Sequence, residues 1–293
     1  MLATNREKWH RVPVRLWALT LLGVTGLGLS ARAVEPSDFV ASRAVAMGQN
    51  VLAASGPDAL FLNPAGLGAT NSYALQLDYL HANDADGIVI SLADSLSNPM
   101  FPTGVSYRYF SAGKGGATLK GSIKDLAVAF ALSPSIVIGT HIDYLSYTED
   151  KRDISTFTGD LGLLLKFGPV GIGVVGTNLL KVDTPVLPQG IATGLSLGDG
   201  QHYLLAGDYQ WAWPGGKQAG SWSLAGEYLL AGFLPLRFAV TRDGIPRDGV
   251  HVTTYLSGGV GFITKNIGLN ASYRHDMTTG EGLWAFGLTV YAN

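Results

Sequence analysis

The feature that most constrains this chain is a regular alternation of apolar and polar residues along segments of about ten residues. Alternation predicts half-buried strands, because successive side chains of a strand point to opposite faces of the sheet. In the segment 203–213, for example, Tyr203 and Trp211 share one face, whereas Asp208 and Gln210 share the other. About fourteen such segments follow one another from residue 73 onward.

The connections between these segments alternate between tight turns and longer polar loops. The tight turns are predicted at 133–135, 168–169, 198–200 and 264–266, and the longer loops at 111–121, 148–155, 177–189, 213–220, 242–250 and 275–281. Short turns on one side, longer loops on the other and an even strand count are typical of outer-membrane barrels. We therefore predict an all-β chain that forms a 14-stranded antiparallel transmembrane β-barrel.

Two other architectures compete with the barrel. A soluble β-sandwich shows similar alternation, but its strands usually have about five or six residues. A membrane helix is suggested by the apolar stretch 161–180, yet that stretch contains Lys166, Pro169 and five glycines. Lipid admits only helices or closed barrels, because no backbone polar group can stay unpaired there. The pattern favours the barrel.

Composition excludes several other classes of protein. The 293 residues include 47% hydrophobic and 14% charged residues, 39 Gly and no Cys. Disordered chains have low hydrophobicity and high charge, and disulfide-stapled modules or thiolate metal sites need cysteine. With 20 Lys+Arg against 22 Asp+Glu, the chain also lacks the basic surface of a nucleic-acid-binding protein.

Residues 1–33 have the three parts of a secretory signal peptide. A basic start that includes Arg6 and Arg15 precedes the uncharged run 16–30, and Ala31-Arg32-Ala33 supplies a cleavage site. The alternative is a membrane anchor, but about fifteen apolar residues are short for spanning roughly 30 Å of hydrocarbon. We predict Sec-type export, cleavage before Val34 and a mature chain of net charge −6.

The segment between this signal and the first strand is small, apolar and rich in turn-forming residues. Asn63-Pro64 predicts a turn, because Pro disfavours the helical conformation of the residue before it. Gly66 is expected to allow a positive φ. The run 44–54 is compact enough to fit inside a barrel. An ordinary periplasmic tail is the alternative.

The same segment resembles the N-terminal region of the FadL superfamily of outer-membrane transport proteins, and within it the PorV/PorQ-like branch. The matching residues are Arg43, Ala44, Met47 and Gly48, then Asp58, Ala59, Asn63, Pro64, Ala65, Gly66 and Leu67. A weaker match covers 176–180 and Leu187-Pro188. The resemblance implies that residues 34–70 form a plug that closes the lumen of a barrel spanning residues 71–293.

If the apolar face of each strand meets lipid, a set of charged side chains and one histidine points into the lumen. These residues are Asp78, Arg108, Asp125, His141, Asp143, Asp160, Asp208, Glu227, Arg237 and Arg274. Both signs of charge are present. The set either forms a structural network that holds the plug or lines a route for substrate or ions, and buried charges need partners in both cases.

The sequence offers no catalytic motif. Among the histidines, His141 lies in mid-strand with Asp143 two residues on, and we interpret this pair as lumenal hydrogen bonding. No G-x-S-x-G, phosphate-binding or H-E-x-x-H motif is present. We therefore expect no enzyme activity, no cofactor and no metal site.

Two functions are consistent with a plugged barrel in a Gram-negative outer membrane. The first, suggested by the PorV-like resemblance, is a scaffold or docking component of an envelope-spanning secretion, motility or surface-assembly complex. The alternative is a passive transporter of fatty-acid-like hydrophobic molecules. Transport requires a pocket near Phe61 and Leu62 and a gap in the wall, for which we propose 96–103. Expected partners are outer-membrane lipid, proteins of such a complex and a hydrophobic ligand, but not nucleic acid.

Overall fold

Fourteen antiparallel strands form one closed barrel. The computed structural model describes residues 34–114, 117–149, 151–182, 187, 189–199, 202–213, 218–245 and 252–292. The strands are β1 (Tyr73–Ala82), β2 (Ala85–Asp94), β3 (Thr103–Lys114), β4 (Ala117–Ser133), β5 (Ile136–Glu149), β6 (Arg152–Phe167), β7 (Val170–Thr177), β8 (Gly190–Gly198), β9 (Tyr203–Ala212), β10 (Ala219–Leu230), β11 (Leu234–Asp243), β12 (Thr253–Ile263), β13 (Ile267–Asp276) and β14 (Gly282–Ala292).

Closure comes from the pairing of the first strand with the last. Each strand pairs with its sequence neighbours, and β1 pairs with β14 from Tyr73–Ala292 to Ala82–Leu283. The predicted fold class is confirmed, and the stretch 161–180 supplies the end of β6 and all of β7. The predicted signal peptide lies outside the described residues.

No helix among the described residues is both long and apolar enough to cross a bilayer.

The two faces of the sheet follow the alternation in the sequence. In β1, Leu75, Leu77 and Tyr79 are exposed on the outside, whereas Ala74 and Leu80 are fully buried inside. The same apolar outer face recurs around the barrel, as membrane-spanning strands require. The polar and small residues of the opposite face are left to line the lumen.

Two rims result from this topology. The terminal rim carries the start of β1, the end of β14 and the connections 95–102, 134–135, 168–169, 199–202, 231–233 and 264–266. The distal rim carries the other connections. Two loops predicted there are wrong: in 111–121 and 148–155 the strands continue, so β3–β4 and β5–β6 are joined by two-residue connections. Polar residues pair across these ladders, as in Ser111–Lys120, because exposed strands above the apolar band need no apolar face.

The gap that we expected beside β3 is also absent. The β2–β3 ladder runs without interruption from Ala85–Ala112 to Asp94–Thr103. Pro99 and Pro102 lie in the connection 95–102 at the terminal rim, where the prolines remove no hydrogen bond from that ladder.

The N-terminal segment folds inside the barrel. Residues 34–70, the plug, contain two short α-helices, α1 (Ser42–Ala46) and α2 (Ala59–Leu62), and three 3-10 turns at Pro36–Asp38, Gly56–Asp58 and Pro64–Ala69. Helix α1 contacts β11 to β14 and β1, whereas the last 3-10 turn contacts β4, β5 and β6. Apolar plug side chains pack on the inner wall as two buried clusters that include Phe39, Val45, Leu60 and Leu67. The plug therefore completes the core of the barrel.

Candidate functional site

The Asn63-Pro64 pair shapes the centre of the plug. The side chain of Asn63 accepts a hydrogen bond from the backbone N–H of Ala65 at 3.1 Å, and Pro64 begins the 3-10 turn. Gly66 does not have the positive φ that we expected. Glycine is needed there for space instead, because a Cβ would lie 2.6 Å from the carbonyl oxygen of Ala54.

Arg43 joins the two halves of the plug motif. Its guanidinium forms an ion pair with Asp58 at 2.9 Å and donates to the carbonyl oxygen of Ala53 at 2.8 Å. Burial raises the pKa of Asp58, and the opposing effect of Arg43 is smaller. Gly48 allows the chain to turn with φ +62°, and its carbonyl oxygen accepts a hydrogen bond from Thr241 at 3.1 Å. The residues of the motif are all buried apart from the half-buried Arg43.

Glycines in the wall make room for the plug backbone, a feature that the sequence analysis missed. A Cβ on Gly139 of β5 would collide with the backbone of Pro64 and Ala65, and one on Gly162 of β6 would collide with the Asn63 side chain. A glycine inside a strand often marks the close approach of another backbone. That rule is the only sequence signal for these contacts.

The predicted lumenal residues all point inward, and the structure sorts them into three groups. The first group lies toward the terminal rim. Glu227 accepts two hydrogen bonds from Arg43 at 3.0 Å and one from Arg237 at 2.5 Å. Arg237 also donates to Asn270 at 2.7 Å. One carboxylate is thus shared by a plug arginine and a wall arginine.

The second group lies on the inner face of β3 to β6. Arg108 donates to Asp125 at 2.8 and 3.2 Å and lies 3.7 Å from Asp143. His141 Nε2 lies 3.1 Å from Asp143 and 3.0 Å from Asp160. The plug covers this group, because the ring of Phe61 stacks on the Arg108 guanidinium at 5.3 Å.

Three further residues hold the plug from different sides. Asp78 accepts the backbone N–H of Ser42 at 2.9 Å, and Asp208 accepts that of Val51 at 2.7 Å. Arg274 forms an ion pair with Asp38 at 2.8 Å. Asp38 was not predicted to take part, since the motif begins after it.

A cavity lies on each side of the plug. A cavity of about 480 Å³ on the terminal side is lined by Arg43, Asp58, Glu227 and Arg237 among others. The cavity on the distal side, of about 160 Å³, touches Phe61 and Leu62 together with four members of the second group, Arg108, His141, Asp143 and Asp160. The pocket expected beside Phe61 and Leu62 is present, but its walls are partly charged.

The ladder between β6 and β7 ends beside the distal cavity. Their ladder covers only Leu161–Phe167 of β6. Beyond it, the chain leaves β7 at Asn178, and one backbone hydrogen bond, from Leu179 to Gly159 at 2.9 Å, connects the two sides among the described residues. Phe157 and Leu161 are 57% and 52% exposed on the outer face. The ladder therefore ends at a level where the outer surface is still apolar.

Comparison with solved structures shows which barrels this one resembles. The CymD monoaromatic hydrocarbon channel gives a TM-score of 0.67 at 13% identity, covering 89% of this chain and 99% of that one. The Ralstonia pickettii toluene transporter TbuX gives 0.66 at 13% identity, covering 87% and 99%. A Pseudomonas aeruginosa FadL homologue gives 0.64 at 11% identity, covering 86% and 98%.

The chain has the fold of these channels. At such low identity the likeness establishes architecture, and function has to be argued from the site. No model of a known protein family matches the sequence, and no curated protein matches it.

Proposed function

We propose that this protein is a passive channel for small hydrophobic molecules in a bacterial outer membrane. The observation that carries the proposal is the position of the distal cavity. Asp160, Thr177 and Asn178, which line that cavity, lie just beyond the last pair of the β6–β7 ladder, Leu161–Gly176. A molecule in the cavity would therefore be next to the end of that ladder, which is where we place the lateral opening.

This arrangement favours sideways passage over passage straight through the lumen. The plug lies between the two cavities and is held by Asp78, Asp208, Arg274 and Glu227. Transfer of an apolar molecule from water to lipid lowers its free energy by about 25 cal/mol per Å² of buried surface. A hydrophobic solute that passes through the charged cavity and the proposed lateral opening would enter the bilayer without displacing the plug.

The fold supports this function over the scaffold hypothesis. The similar structures described above include a hydrocarbon channel and a toluene transporter. A docking role in an envelope complex, export by the Sec route and membership of the PorV-like branch stay predictions. The transport proposal depends neither on the docking role nor on membership of that branch.

Uptake of toluene by whole cells tests the proposal. Cells that produce the wild-type protein in their outer membrane should take up labelled toluene several times faster than cells with an empty vector. Leu62→Trp should reduce this uptake, because the larger ring occupies the distal cavity. Leu256→Trp places the same change on the lipid-facing surface and should leave uptake unchanged. Equal uptake with wild type and empty vector would contradict the proposal.

A further inference from the structure

His141, Asp143 and Asp160 form a compact set of metal-ligand side chains in the wall of the distal cavity. His141 and Asp143 are two residues apart on β5 and share its inner face, and His141 pairs directly with Asp160 on β6. One nitrogen or oxygen atom from each residue lies within 4.8 Å of the others. All three side chains line the cavity.

The distances within this set suit a bound cation. His141 Nε2 lies 3.1 Å from Asp143 Oδ2 and 3.0 Å from Asp160 Oδ2. Ligand atoms about 2.0–2.2 Å from one ion are separated from each other by about 3 Å at a 90° angle and by about 3.5 Å at the tetrahedral angle. The two separations from His141 are therefore close to those of adjacent ligands, and the ligand atoms of Asp143 and Asp160 lie within 4.8 Å of each other.

The buried histidine lacks hydrogen-bond partners among the described residues. His141 is 3% exposed and Asp143 1%, yet both ring nitrogens of His141 and Oδ1 of Asp143 make no hydrogen bond there. His141 Nε2 instead lies within ion-pair distance of both carboxylates. Buried polar groups are nearly always paired, and a bound cation would give Nε2 and both carboxylates a common partner.

The charge of the cluster also favours a bound cation. Asp125, Asp143 and Asp160 face one guanidinium, that of Arg108, which donates both of its hydrogen bonds in this cluster to Asp125. Ser106 also donates to Asp125. With a neutral imidazole the cluster carries two excess negative charges. Burial of unpaired charge is costly, and a divalent cation would balance both charges.

We propose that His141, Asp143 and Asp160 bind one divalent first-row transition-metal ion of the Zn²⁺ type. An imidazole with two carboxylates suits such an ion better than Ca²⁺ or Mg²⁺, which prefer all-oxygen sites. The other oxygen of Asp160 accepts the backbone N–H of Asn178 at 2.8 Å, the kind of outer contact that orients a ligand. The site revises our expectation of no metal, and it does not depend on the transport proposal.

The test uses the full chain in detergent, with an affinity tag that contains no histidine. After chelator treatment, the wild-type protein should bind one equivalent of Zn²⁺ by equilibrium dialysis. His141→Gln removes a ligand and should weaken this binding by at least the roughly 10–100-fold that loss of an outer-shell partner costs. His202→Gln is the matched control, because His202 forms an exposed pair with Asp199 at 2.8 Å and should leave the binding unchanged.

Two further measurements keep the test informative if His141→Gln fails to fold. Asp160→Asn preserves the shape of the side chain and should also weaken Zn²⁺ binding. On the wild-type protein, Co²⁺ should give visible absorption bands that Zn²⁺ abolishes. Absence of bound Zn²⁺ in the wild type, or equal binding by wild type and both ligand variants, would overturn the proposal. His141 would then be a protonated partner of the two carboxylates.

Discussion

Arg43 of the plug and Glu227 of the wall form a two-bond ion pair across 184 residues of sequence. Nε and Nη2 of the guanidinium each lie 3.0 Å from a different oxygen of the carboxylate. The same guanidinium holds Asp58, so one side chain ties both halves of the plug motif to β10. The plug is therefore fastened by a charged contact as well as by apolar packing.

Replacing Arg43 should loosen the plug. Arg43→Gln removes the pair while Glu227 keeps Arg237, so we expect a loss of about 3 kcal/mol, the lower end for a broken buried pair. Planar-bilayer recordings should show more frequent open events than the wild type. Arg242→Gln, an exposed arginine on β11, is the control, and identical conductance of wild type and Arg43→Gln would contradict this role.

A methyl group on Gly139 should prevent the plug from seating. Gly139→Ala places a Cβ against the backbone of Pro64 and Ala65, and overpacking of this kind costs about 1–3 kcal/mol. The urea midpoint of the barrel should fall. Gly258→Ala in β12 adds the same methyl group 3.6 Å from the nearest atom, so its midpoint should not fall. A similar decrease in both variants would show that strand conformation, not the plug, is responsible.

Phe39 should contribute to stability although it lies in the N-terminal segment. The ring is completely buried, packs against Gly87, and stacks on Phe110 at 6.1 Å. Phe39→Ala should lower the free energy of unfolding by about 3–5 kcal/mol, measured by urea denaturation. Phe238→Ala removes a ring that is 60% exposed on the outer face. If Phe39→Ala costs no more than Phe238→Ala, the plug packs less firmly than the structure indicates.

A disulfide between plug and wall should separate plug movement from transport. A Cβ on Gly259 would lie 2.7 Å from that of Ala46, so a small outward shift reaches the usual 3.5–4.5 Å of a disulfide. The chain has no cysteine of its own. In the Ala46→Cys/Gly259→Cys variant, oxidised and reduced protein should take up toluene equally, because the proposed route passes beside the plug. Uptake only after reduction would show that the plug must move.

The wall of the barrel could be predicted because its signal is local. The segment 203–213 contains β9, and the outward side chains that predicted it, such as Leu205, are exposed. The plug motif also carries local information, since Asn63 and Pro64 form the turn that their chemistry favours. The extended hairpin of β5 and β6 was missed, because its polar residues are equally compatible with a loop.

The sequence by itself determined the number of strands and their approximate positions, which side of each strand is apolar, and that a small apolar segment precedes them. Only the tertiary structure decided which lumenal charges meet. Barrel closure and strand register bring His141 beside Asp160, and Arg43 reaches Glu227 through the lumen. Periodicity records the direction of each side chain but not its height in the barrel, and the height selects its partner.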